Sequence, residues 1–82
     1  LISFLAGIKI KGTDELGLVN NITKVISSQL NINMRSISFD TEDGIFDGTI
    51  MVYVHDAKHL SHLIDNLMKV KGVTSVTRID NN

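Results

Sequence analysis

Apolar and polar residues alternate over residues 4–11, FLAGIKIK, with Phe4, Ala6, Ile8 and Ile10 on one side and Lys9 and Lys11 on the other. A period of two marks a half-buried strand. The period then lengthens. Leu18, Val19, Ile22, Val25, Ile26 and Leu30 recur at three- and four-residue spacing, one apolar stripe of a helix, for which Asp14 or Glu15 is the expected cap or dipole partner.

NINMRSISFD returns to a strand pattern, Ile37 and Phe39 alternating with Ser36 and Ser38. Ile32 and Met34 are out of phase with it, so a bulge is expected near Arg35. Asp43-Gly44 between two strand patterns predicts a hairpin. From Phe46 to Val54, Ile50, Val52 and Val54 share one face and Thr49, Met51 and Tyr53 the other. Both faces are fairly apolar, as in a central strand. Asp56 is the expected N-cap of a second helix carrying Leu60, Leu63, Ile64, Leu67 and Met68, with Lys69 and Lys71 near its C-terminal dipole and Gly72 at its C′ position. VTSVTRI closes as a last strand. The order β-α-β-β-α-β with short connections predicts an α+β, ferredoxin-like domain: a four-stranded antiparallel sheet with two helices on one face.

At 82 residues the chain is one small domain, and 43% hydrophobic with 21% charged residues argues against disorder. A net charge of −1 gives no bulk attraction to nucleic acid or membrane. No cysteine is present, which removes disulfides, thiolate metal sites and a cysteine nucleophile. No apolar run approaches the ~20 residues that span a bilayer. LISFLAGIKIK lacks a basic leading region and is not read as a signal peptide; a cytoplasmic location is expected, without membrane contact. The chain starts at Leu, and we expect residues 1–82 to be a piece of a larger protein.

Candidate chemistry centres on GTDELGLVNNI, residues 12–22. Gly12 and Gly17 have the spacing of a phosphate-cradling loop, but Leu18 and Val19 stand where such a loop needs Lys and Ser or Thr. Asp14 and Glu15 would also repel a triphosphate. A turn into a helix start remains, able to receive a small carboxylate. For Gly17 one reading is simply close backbone approach at a helix start. His59 and His62 lie one turn apart with His55 nearby, but on a polar helix face and without a third ligand; solvated histidines, and no metal, are expected. No nucleophile–base constellation is visible, so the chain is not expected to be an enzyme by itself, and no cofactor is expected. Lys9, Lys11, Arg35 and Arg78 come from strands, yet Tyr53 is the sole aromatic in GIKIKG and GTIMVYV, too few for a base-stacking RNA platform. Asn33 is an atypical strand opener, explained by strand-end turn chemistry or by a side-chain amide that reads a ligand near the first loop.

Taken in order, DELGLVNNITKVIS, NIN, DGIFDGTIMVYVHD and HLIDNLMKVKGVTSVTRI resemble an ACT domain, specifically the one that ends the RelA/SpoT-type GTP pyrophosphokinases, the bifunctional (p)ppGpp synthetase/hydrolases. The carrying features are the loop glycine followed by two aliphatics, the Asn-Ile step opening the second strand, and the V-x-x-V-x-R close. The resemblance implies a regulatory module of the stringent response that pairs with a second copy through a sheet edge and binds an amino acid, branched-chain ones included, at the interface. By position it assigns ligand binding to Asp14, Glu15, Leu16, Gly17, Leu18 and Val19, with Asn33 reaching across from the partner. The catalytic domains of the parent chain would be its targets. The alternative it implies is docking on the ribosome, tRNA or a neighbouring domain without a small ligand. Two departures stand out: Glu15-Leu16-Gly17 replaces the frequent Arg-Pro-Gly, and the helix leading to Asn33 is one residue longer than in many relatives.

Overall fold

The computed structural model describes residues 2–79. Strand β1 (Phe4–Thr13) leads to helix α1 (Leu18–Lys24), which continues as a π-helical turn (Val25–Gln29). Strands β2 (Met34–Glu42) and β3 (Ile45–Val54) form the hairpin, followed by α2 (Ala57–Leu67) and β4 (Val73–Ile79). The sheet order is β2-β3-β1-β4, antiparallel throughout. This is the ferredoxin-like βαββαβ arrangement. β1 and β3 are the central strands, and β2 and β4 are the edges.

Register explains the core. Ile8 lies opposite Ile50, Ile10 opposite Gly48 and Ala6 opposite Val52, so the even-numbered residues of β1 and β3 share the helix-covered face. Ile8, Ile10, Phe46, Ile50, Val52 and Val54 are buried there against Leu18, Ile22 and Ile26 from the first helical segment and Leu60, Leu63 and Leu67 from α2. No described polar side chain is buried. The apolar stripe of the first helix is narrower than its periodicity predicts: Val19 is 42% exposed, and so is Met68 beyond α2, at 44%.

The hairpin forms as expected, with Asp43 (φ 55°) and Gly44 (φ 77°) both left-handed, the conformation of a type I′ turn. The β2–β3 register shifts between Met34 and Ser36, which places the bulge at Arg35. Asp56 caps α2, its Oδ1 accepting the His59 N–H at 2.7 Å.

Three local expectations are corrected. Neither Asp14 nor Glu15 caps α1: its N-cap is Gly17 (φ 82°), with no side-chain cap. The Asp14 N–H donates to the Gly44 carbonyl at 2.9 Å, and the Glu15 carboxylate accepts the Thr13 hydroxyl at 3.1 Å. Gly72 is not the C′ residue of α2, which ends at Leu67 with Met68 as its C-cap; it lies in the turn before β4, at φ 97°. Finally, the first helix is not α-helical to its end. The Leu30 N–H bonds to the Val25 carbonyl five residues back, the π pattern. A π turn accommodates one extra residue in a helix. Left-handed Asn31 (φ 55°) then ends the segment as the Ile32 N–H returns to the Ile26 carbonyl.

Candidate functional site

The loop after β1 is tied down at both sides. Thr13 N–H donates to the Gly72 carbonyl and Asp14 N–H to the Gly44 carbonyl, each at 2.9 Å, joining the loop to the turn before β4 and to the hairpin tip. Its two glycines have different causes. A Cβ at Gly12 would collide with the Gly72 carbonyl, so that position is a close backbone approach. A Cβ at Gly17 would meet nothing within 4 Å; Gly17 is needed for its left-handed φ. Close approach, one of the two readings of Gly17, is found at Gly12 instead.

Asp14, Glu15, Leu16, Gly17, Leu18 and Val19 all line one open cleft of about 710 Å³. Leu16 and Val19 are exposed within it, whereas Leu18 turns into the core. The other wall was not foreseen from sequence. Asn20 and Thr23 of α1 contribute, and β2 and β3 add Phe39, Thr41 and Phe46. The Phe39 and Phe46 rings lie 4.7 Å apart, tilted by 37°. Gly48 makes this possible: a Cβ there would stand 2.5 Å from Phe39 Cδ1. An unexplained glycine inside a central strand was the sequence signal for such a close approach. The cleft thus combines carboxylates at its mouth, a helix start and an aromatic floor. It lies beside β2, the strand whose other edge is unpaired.

Asn33 is not at this cleft within one chain. Its carbonyl accepts the Tyr53 N–H, and Tyr53 lies opposite Leu5, eight residues back along β1 from Thr13. At about 3.3 Å per residue the two positions are roughly 26 Å apart, at opposite ends of the sheet.

At the start of α2, the histidines are more structured than their polar face suggested. The His55 N–H donates to His59 Nδ1 at 3.1 Å, and the two rings stack at 4.9 Å. His59 is half-buried and takes part in capping; among the described residues no group of three or more His, Cys, Asp or Glu could hold a metal ion. The open face of the sheet is not a basic platform. Asp40, Asp47 and Lys11 share one cross-strand row, and Arg78, opposite Ile8, belongs to the helix-covered side. Among the described residues no helix is long and apolar enough to cross a membrane.

Fold and cleft together define a small α+β module with a ligand-sized recess beside an unpaired sheet edge. The ACT domain family profile matches residues 2–78, and the chain belongs to that family. It is 44% identical to the crystallographic ACT domain from the GTP pyrophosphokinase of Chlorobium tepidum, with a TM-score of 0.85 over 95% of this chain and 100% of that one. The solution NMR structure of the ACT domain from the same enzyme matches 98% of this chain and 90% of its own, also at a TM-score of 0.85. A GTP pyrophosphokinase of Streptomyces coelicolor is 30% identical over 77 residues, 93% of this chain. The chain spans only 9% of the length of that relative.

Proposed function

We propose that this chain is the regulatory ACT domain of a larger cytoplasmic (p)ppGpp synthetase/hydrolase, a GTP pyrophosphokinase, sensing an amino acid and dimerising to control the catalytic domains. The observation that carries the sensing role is the cleft, where the six loop residues face Phe39 and Phe46. An amino acid's ammonium would meet Asp14, its carboxylate the first-turn N–H groups of α1, and its aliphatic side chain Leu16, Val19 and the aromatic floor. A branched-chain amino acid fits this division best, because the floor is apolar and makes no demand for a polar side chain.

Dimerisation completes the site. β2 is a nine-residue edge strand with neither Lys nor Pro to block pairing. If two copies pair antiparallel through β2, the start of one strand lies beside the end of the other. Asn33 of a second copy then falls next to Thr41 and Phe39, at the rim of the cleft that its own chain cannot reach. Ile37, 37% exposed on this strand, would be covered.

The test is a backbone amide NMR titration with valine, isoleucine, leucine and serine, at a concentration where sedimentation shows a dimer. Saturable shifts at residues 14–19 and at Asn33 are expected. A confirmed dimer with no shifts would retire the sensing role.

Docking without a small ligand is the second reading, favoured by one observation. Leu5 and Tyr53 are 36% and 38% exposed on the open sheet face, beside Met51 and Ile79, which close over Gly7. Charge or bulk introduced at Tyr53 in the full-length enzyme would impair ribosome or interdomain contact under this reading and leave amino-acid shifts intact.

A further inference from the structure

A second cleft opens where the two helical segments meet, away from the loop site. It has a volume of about 320 Å³, within the size range of small-ligand sites. Lys24 approaches from α1, and Lys69 and Lys71 from the turn after α2, with the amides of Asn21 and Gln29 alongside and Val25 and Val70 beneath. We propose that this interhelical cleft binds a small anion carrying two or more phosphate groups.

Three of the chain's eight Lys and Arg residues converge here, and no carboxylate is among the lining residues. In a chain of net charge −1 this is a local concentration of positive charge created by folding, since Lys24 and Lys69 are 45 positions apart in sequence. A multiply charged anion in this recess would be attracted by all three ammonium groups at once. The end of α2 would oppose an anion if its last carbonyls were free. Three of them are engaged: the Met68 N–H closes on the Ile64 carbonyl at 3.0 Å, the Lys69 N–H on the Asn66 carbonyl at 3.2 Å and the Val70 N–H on the Leu67 carbonyl at 3.1 Å. Asn66 also lines the cleft, with its side-chain amide donating to the His62 carbonyl at 2.8 Å. No aromatic side chain lines the cleft, so it offers no platform for a base and recognises phosphate charge. The recess is open to solvent, and its small volume between two helical segments suits a compact anion better than an extended polymer backbone.

Sodium pyrophosphate titrated into the ¹⁵N-labelled chain, against sodium chloride at matched ionic strength, tests the assignment. The expected result is saturable shifts in the millimolar range at Asn21, Lys24, Lys69, Val70 and Lys71. The exposed double variant Lys69→Gln/Lys71→Gln should retain the native spectrum elsewhere and bind about tenfold more weakly. Shifts equal to those from chloride, shifts mapping to other residues, or unchanged affinity in the double variant would overturn the proposal. So would a short single-stranded RNA that moves the same amides at lower concentration than pyrophosphate, which would make the cleft part of a nucleic-acid surface.

Discussion

The backbone of Gly12 lies against the carbonyl of Gly72, and the next residue, Thr13, donates its N–H to that same carbonyl at 2.9 Å. β1 and the turn before β4 are locked together by a contact with no room for a Cβ. The neighbouring Glu15 carboxylate fills the space on the far side of Gly72, where a Cβ would stand 2.6 Å from Oε2. Gly12, Thr13, Glu15 and Gly72 therefore hold the start of the candidate loop together.

Gly12→Ala should accordingly cost about 2 kcal/mol or more, because the new methyl meets backbone, which cannot rotate away. Gly17→Ala should cost about 1 kcal/mol through its left-handed φ alone. Urea denaturation separates the two mechanisms when asparagine is tried at each site. Gly17→Asn should recover stability, since Asn tolerates that conformation, whereas Gly12→Asn should be worse than Ala.

Gly48→Ala should push Phe39 off the floor of the loop cleft. The expected cost is about 1–3 kcal/mol for overpacking. The added diagnostic is position: amide shifts should concentrate at Phe39, Thr41 and Val19, all in the cleft wall. Shifts confined to β3 would mean that Phe39 accommodates the methyl without moving.

Deletion of Ser28 should be tolerated. It lies exposed in the π-helical turn, where one residue is in excess of the α-helical repeat. Removing it should convert the turn to α-helix and change stability by no more than about 1 kcal/mol. Deleting Asn20 instead would rotate the buried Ile22 and Ile26 relative to Leu18, and that variant should be far less stable. Thermal unfolding of the two deletions decides whether the π turn holds a removable residue.

Asp40 and Asp47 face each other across β2 and β3, with Lys11 next in the row. Like charges directly opposite destabilise a strand pair, so Asp40→Asn should raise stability by roughly 0.5 kcal/mol at low salt. The gain should shrink as salt screens the repulsion. A gain independent of salt would point away from charge.

Much of the fold was legible because periodicity reports burial directly. The alternation around Ile8 and Ile10 and the three- and four-residue spacing of Leu60, Leu63 and Leu67 each name the face that packs inward. Asp43-Gly44 and Asp56 were legible because turn and cap chemistry is local. Asp14 and Glu15 were misplaced as helix caps because competition for their groups comes from elsewhere: Gly44 takes the Asp14 amide, and the Glu15 carboxylate sits against Thr13 and Gly72. In sequence, Phe39 is one more residue of an alternating strand. Nothing in its neighbours announces Phe46 or the missing Cβ of Gly48.

By itself the sequence determined the element order, the inward faces, the hairpin and the stretch that forms the loop, since all of these follow from short-range pattern and backbone preference. Tertiary structure decided which distant groups meet. It set the aromatic floor under the loop, joined Gly12 to Gly72, separated Asn33 from the cleft by the length of the sheet, and gathered Lys24 with Lys69 and Lys71. Such pairings depend on strand register and helix placement, which are set by packing the whole core at once and leave no signature in any one segment.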